Sequence, residues 1–158
     1  KNLMYLSSQA YMYGFYYYPR INKKLLRENS EGLVCSAACL QGEINWHLNT
    51  NNDRNVRNGA KGYERAKEIA LEYKEIFGDD FYLEIMRHGI EDQHFVDDAI
   101  LRIAHETGIK VVATNDTHYL NPKDADAHEA FMCIAMNKLY DDPNRLRHSV
   151  HEFYLKSP

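Results

Sequence analysis

Asp116 and His118 stand two residues apart just after the apolar run Lys110 to Thr114. On an extended segment, positions i and i+2 point to the same side, so a carboxylate and an imidazole there could share one metal ion or two neighbouring ones. The spacing alone is a weak signal. Chance gives about 0.5 such Asp-x-His pairs in this composition, and the chain also holds Asp92 with His94 and Asp126 with His128. Those two fall in helical patterns, where i and i+2 face apart. The bland alternative for Asp116 and His118 is an aspartate capping the following turn beside a surface histidine.

Other groups stand where a strand is expected to end. Cys39 follows the short apolar run Gly32 to Ser36, and His88 precedes Gly89 after the run Phe81 to Met86. Cys39 could ligate a metal as a thiolate, although a buried cysteine is more often a small apolar filler. His88 could touch a ligand or a phosphate. Glu84 lies inside an apolar strand, where an ionised carboxylate must be paired or hydrogen-bonded, and a contact to a metal ligand from behind is one such use. Cys35 and Cys133 read as core. His128 and Glu129 read as solvated or hydrogen-bonded residues, and His47, His94, His105, His148 and His151 suggest no chemistry. No Gly-rich phosphate loop, paired CxxC or nucleophile elbow is present.

These positions need a scaffold of alternating elements. A helix starts near Asn2 as cap and ends at Gly14, with Leu3, Leu6, Ala10 and Tyr13 along one face. Pro19 interrupts the chain, and Asn22 caps a short helix through Leu26. The strand at Gly32 to Ser36 leads through Cys39 to a helix from Glu43 to Leu48. The polar stretch Asn49 to Asn55 reads as a surface loop. From about Val56 to Phe77, the positions Tyr63, Ala66, Ile69, Ala70, Tyr73, Ile76 and Phe77 mark an amphipathic helix closed by Gly78.

A strand at Phe81 to Met86, a helix ending at Gly108 and a strand at Lys110 to Thr114 then form a βαβ unit with parallel strands. A further helix is expected from Asp124 to Met136 and an extended piece from Phe153 to Leu155. In parallel α/β folds, chemistry gathers beyond the carboxyl ends of the strands. Cys39, His88 and the Asp116–His118 pair all occupy such ends.

Composition narrows the function classes. The 158 residues carry a net charge of −4, with basic residues scattered among acidic ones, which argues against a main DNA-gripping surface. Twelve tyrosines could stack on bases, but without interleaved basic residues packing is the better reading. Three cysteines do not suggest a disulfide framework. No apolar run reaches the roughly 18 residues needed to span a bilayer, and a soluble, cytoplasmic location is expected. The chain starts at Lys1 and stops at Pro158 without the look of natural termini, so residues 1–158 are expected to be a piece of a longer protein.

Together the segments Phe15 to Ile21, Gly32 to Glu43, Phe81 to Glu84 with His88 and Gly89, Val112 to Tyr119, and Phe153 to Ser157 resemble, in order, the later part of the PHP (polymerase and histidinol phosphatase) domain of the bacterial DNA polymerase III alpha subunit. The most diagnostic run is Ala113 to Tyr119 followed by Asp126 to His128. The resemblance implies an α/β fold forming part of a distorted (β/α) barrel with mostly parallel strands. It implies that Cys39, Asp116 and His118 are ligands in a divalent-metal cluster, often zinc, left incomplete by this stretch because the family's other ligand motifs lie upstream. It also implies a parent that synthesises DNA, a cluster that can hydrolyse 3′ ends in relatives where it is intact, and DNA and other replicase subunits as partners. No catalytic residue is assigned, since the family's palm acids lie downstream. The competing reading is a metal-stapled structural module that docks a separate proofreading exonuclease subunit or supports the polymerase core. A stand-alone phosphoesterase is disfavoured by the resemblance at Phe153 to Ser157.

Overall fold

A computed structural model of the chain describes residues 1–157. Its elements run α1 (Asn2–Tyr13), α2 (Lys23–Glu28), β1 (Cys35–Ser36), α3 (Glu43–Leu48), α4 (Asp53–Arg57), α5 (Tyr63–Phe77), β2 (Phe81–Met86), α6 (Glu91–Thr107), β3 (Lys110–Thr114) and α7 (Ala125–Ala135). Short 3-10 turns at Gly78–Asp80 and Pro122–Asp124 lead into β2 and α7.

The three strands form a parallel sheet in the order β1-β2-β3. Five residue pairs, from Tyr82 with Lys110 to Met86 with Thr114, set the β2–β3 register, whereas β1 pairs through Cys35 and Ser36 alone. All three strands therefore deliver their carboxyl ends to one rim.

Burial explains why the sheet is stable on one side. Ala66, Ile69, Ala70 and Ile76 of α5 and Val96, Ile100 and Ile103 of α6 recur at helical spacing, and all are buried. All but Ile76 pack with Ile44 and Leu48 of α3 against Phe81 and Leu83 of β2 in one core cluster. Full burial of each of the larger aliphatic side chains contributes roughly 1.5–3 kcal/mol. Gly108 closes α6 in the left-handed conformation, and its amide reaches the Ala104 carbonyl at 2.8 Å.

β2, α6 and β3 lie where periodicity and flanking glycines place them, and Asn22 caps α2 by accepting the Leu25 amide. Several expectations are corrected. Asn2 is the first residue inside α1 and not its cap, and its side chain donates to the Glu31 carbonyl instead. Only Leu6 and Ala10 of the expected α1 face are buried. β1 is two residues long because only Cys35 and Ser36 pair with β2; Val34 is exposed and Cys35 half-buried.

The helix expected from Val56 begins at Tyr63, since Gly59 and Gly62 take positive φ and break it. The polar stretch Asn49 to Asn55 is not simply a surface loop. Asn52 caps α4, while Asn49 and Asn55 are buried, donating to Asp92 and to the Trp46 and Asn49 carbonyls respectively. β3, apolar in sequence, is mostly exposed, with its outer edge unpaired among the described residues.

Candidate metal centre

The turn after β1 doubles back so tightly that glycine is required at position 42. A Cβ there would lie 2.1 Å from the Ala37 carbonyl oxygen. The Gly42 amide donates to the Cys39 carbonyl at 2.8 Å, and the Asn45 side-chain amide donates to the Ala38 and Cys39 carbonyls at 2.9 and 3.1 Å. This accounts for the local run of residues 39–45: the glycine lets the chain fold back, and Asn45 fastens the loop that presents Cys39.

Glu84 ties that loop to the next. Its carboxylate is buried and forms no ion pair among the described residues. One oxygen accepts the Ala38 amide at 2.8 Å, and the other accepts the Thr114 hydroxyl at 2.5 Å. Both oxygens are thus satisfied across the strand ends, which is what lets a carboxylate sit inside an apolar strand.

Beyond β3 the chain leaves the strand conformation. Asp116 has a φ of 44°, so it and His118 meet across a turn and not along an extended segment. The Asp116 carboxylate is 4.0 Å from Nδ1 of His118. Nδ1 also lies 2.5 Å from the Asp116 carbonyl. A carbonyl only accepts, so that contact puts the proton on Nδ1 and leaves the Nε2 lone pair available.

Ser36, Ala38, Cys39, Glu84, Met86, Thr114 and Asp116 line one cavity of about 340 Å³ at this rim. Cys39 and Asp116 are therefore brought together with Glu84 between them. A larger groove of about 860 Å³, between α1 and the start of β1, lies away from these groups and is mostly apolar. Of four non-glycine residues with left-handed backbone, two, Ala38 and Asp116, line the smaller cavity. Such conformations cost roughly 1–2 kcal/mol per residue and persist where surrounding contacts enforce them.

His88 is 1 % exposed, with both ring nitrogens engaged inside the fold. Nε2–H donates to the Asn115 carbonyl at 2.7 Å, and Nδ1 accepts from the Gln93 amide at 2.8 Å. No nitrogen is left for a phosphate. The ring instead braces Asn115, the neighbour of Asp116, and the Asn115 side chain in turn donates to the Tyr154 carbonyl.

His118 does not line the cavity with Cys39. Its ring packs against those of His128, at 5.5 Å between centroids, and His148, at 5.4 Å. Burial and these two imidazoles hold His148 below the usual histidine value. Sequence reasoning did not foresee that these rings pack together, nor the buried pair that places His148. Glu129 of α7 is contacted by Arg145 and accepts the His148 amide at 3.1 Å.

The donor types at the rim (thiolate, carboxylate and imidazole) suit zinc and related divalent ions. Among the described residues, no three His, Cys, Asp or Glu side chains converge closely enough to hold one ion. No helix is long and apolar enough to cross a membrane.

The chain is 69% identical over its whole length to the DNA polymerase III subunit alpha of Campylobacter jejuni, 66% to that of Helicobacter pylori strain J99, and 39% to that of Thermus aquaticus. It spans 13% of the length of the first two relatives and 12% of the third. The PHP domain family model matches residues 1–88, which include Cys39, Glu84 and His88. That match takes in more than half of the sequence, and the chain belongs to the PHP domain family.

Proposed function

We propose that the chain is the later part of the PHP domain of a bacterial DNA polymerase III alpha subunit, and that its strand-end rim contributes Cys39, Asp116 and His118 to a divalent-metal centre, with zinc the best match to the donors. The observation that carries this reading is the convergence of Cys39 and Asp116 on one cavity at the ends of parallel strands, in a chain similar throughout to those subunits. The parallel order β1-β2-β3 and the exposed outer edge of β3 fit a segment of a distorted (β/α) barrel whose remaining strands lie outside this chain.

On this reading the parent is a cytoplasmic DNA-directed DNA polymerase, with DNA and other replicase subunits as partners. Closely spaced divalent ions, when bound, lower the pKa of water and clamp a phosphodiester, as hydrolysis of a 3′ end requires. The residues of this chain bind and orient. Glu84 holds the Cys39 and Asp116 loops in register, and His88 and Asn115 brace the Asp116 loop from behind. The residues that would complete the cluster are supplied by the rest of the domain, so this segment alone is inactive. The reading is tested by elemental analysis of the full-length protein and its Cys39→Ser and Asp116→Asn variants, followed by 3′-end hydrolysis assays. Loss of metal in each variant supports it, and unchanged metal content rejects the ligand assignment.

A structural role is the second reading, in which the metal only staples the fold and the outer surface docks a proofreading exonuclease subunit or supports the polymerase core. The exposed apolar side chains Phe131, Ile134 and Leu139 on and after α7 favour it. A variant that retains metal and stability but loses hydrolysis separates the two.

A further inference from the structure

Residues 1–27 differ in charge and surface from the rest of the chain. They carry five Lys or Arg and no Asp or Glu, in a chain whose net charge is −4. They also hold six of the twelve tyrosines. Composition favours packed tyrosines, but Tyr16, Tyr17 and Tyr18 are 66, 75 and 71 % exposed. Three adjacent rings in water forgo the burial that an aromatic side chain normally supplies, and such a surface marks a binding site.

The turn that presents these rings is closely built. The Tyr16 amide donates to the Tyr18 carbonyl at 3.2 Å, with Tyr17 at the tip in left-handed backbone, φ 60°. That conformation is unfavourable for tyrosine and persists because the surrounding bonds enforce it. At the base, the Arg20 amide donates to the Gly14 carbonyl at 3.2 Å. A Cβ at position 14 would lie 1.9 Å from the Arg20 carbonyl oxygen, so glycine is required where α1 hands over to the turn. The Tyr16 and Tyr17 rings stand 4.7 Å apart at 77°, and the Arg20 guanidinium lies over the Tyr16 ring at 5.7 Å. Phe15 stacks on Tyr11 and extends the aromatic surface onto α1.

We propose that the Tyr16–Tyr18 turn, with Arg20 beside it, is a stacking platform for single-stranded DNA. Exposed rings offer π-faces to successive bases whatever their identity, and a neighbouring guanidinium stacks in turn or meets a phosphate. Charge complementarity favours a nucleic acid. Lys23 and Arg27 are engaged by Glu43, Glu72 and Glu75, but Arg20 and Lys24 form no ion pair among the described residues, and no carboxylate of the segment repels a phosphate backbone. A single strand is required, because bases paired in a duplex are stacked on one another and have no free faces. None of these residues lines the Cys39–Asp116 cavity, so the platform works without metal. The preceding reading enters only in naming DNA, not RNA, as the strand.

The test uses the full-length protein in EDTA, with excess primed duplex to fill the polymerase site of the parent and labelled oligo(dT) as the probe. Oligo(dT) carrying 5-iododeoxyuridine is expected to photocrosslink to Tyr16, Tyr17 or Tyr18, located by mass spectrometry. The Tyr17→Ala/Tyr18→Ala variant is expected to bind oligo(dT) at least about fivefold more weakly. Tyr17→Phe/Tyr18→Phe keeps the π-faces and the wild-type affinity, and Arg20→Gln lowers the salt slope by about 0.7. Circular dichroism checks that each variant is folded. Adducts only outside this turn, unchanged affinity in the folded double-alanine variant, or equal losses with alanine and phenylalanine overturn the proposal. So does tighter binding of oligo(rU) than of oligo(dT). Loss of a replicase subunit from the alanine variant with DNA binding intact also overturns it and makes the turn a protein interface. Because EDTA removes bound metal, these outcomes do not depend on the Cys39, Asp116 and His118 assignment, which elemental analysis tests separately.

Discussion

Glu84, in the middle strand, accepts the backbone amide of Ala38 at 2.8 Å, and that one bond holds the left-handed residue immediately before Cys39. The second carboxylate oxygen takes the Thr114 hydroxyl, so the two loops that carry Cys39 and Asp116 share one buried anchor. Replacing it with leucine strands the Ala38 amide. Glu84→Leu is expected to cost about 1–3 kcal/mol in urea unfolding. Glu84→Gln keeps an acceptor for Ala38 and a donor for the Thr114 oxygen, and it is expected to cost less than half as much. Equal losses in the two variants would show that packing, not hydrogen bonding, sets the role of position 84.

Gly42→Ala places a methyl group where the Ala37 carbonyl oxygen lies 2.1 Å away. Because both atoms belong to the backbone-defined turn, the loop must open. A destabilisation of about 1–3 kcal/mol is expected, accompanied by faster alkylation of Cys39 as its loop loosens. Thiol-reactivity kinetics beside a denaturation curve check both.

The core makes a sharper contrast. Ile100 is fully buried in α6, while Leu101 beside it is 43 % exposed. Ile100→Ala is expected to lower stability by about 2–5 kcal/mol, and Leu101→Ala to change it by no more than about 0.5 kcal/mol. Similar losses at both positions would contradict the orientation of α6 on the sheet.

Acid should act on the Glu129–Arg145 pair. Burial raises the Glu129 carboxyl, but the Arg145 guanidinium and the His148 amide outweigh it and leave it below the usual carboxylate value of 4.5. A group depressed in the fold contributes stability that is present above its unfolded pKa and lost as pH falls through its folded one. Melting temperature in the wild type should therefore fall more steeply below pH 4.5 than in Glu129→Gln, whose melting point is lower at neutral pH. Parallel acid limbs in the two proteins would remove Glu129 from the account.

Exposed apolar surface should make the isolated chain self-associate. β3 presents an unpaired edge, and Leu3, Met4, Tyr11 and Met12 of α1 with Phe131 and Ile134 of α7 face solvent. Light scattering is expected to show an average mass that rises with concentration, and a constant monomer mass would contradict this.

The elements most legible in the sequence were those with local punctuation. Gly78 precedes β2 and Gly108 separates α6 from β3, and the apolar period changes at each. The start of α5 was misread because the apolar pattern ran back to Val56, although Gly59 and Gly62 carried the signal for a break. Asn49 and Asn55 looked like loop residues because asparagine is polar, but both are buried and their side-chain amides donate to partners within the fold.

At the candidate site, Cys39 and Asp116 could be singled out from strand ends, because a parallel sheet gathers those ends on one rim, and Glu84 from being a carboxylate inside an apolar strand. The packing of His128 and His148 on His118 could not. Asp126 and His128 lie in a helix, as their pattern predicts, but His128 packs against His118 of a loop ten residues earlier in the chain, and the His148 amide is held by Glu129, which Arg145 contacts. Neither relationship has a spacing that local sequence could display.

The central claim is that Cys39 and Asp116 bind metal at the strand-end rim. Elemental analysis of bound metal per chain in the full-length protein, compared with Cys39→Ser and Asp116→Asn, tests it most directly. Metal in the wild type and at least one fewer ion in each folded variant is the predicted result. Metal-free protein, or variants with the wild-type content, would contradict it.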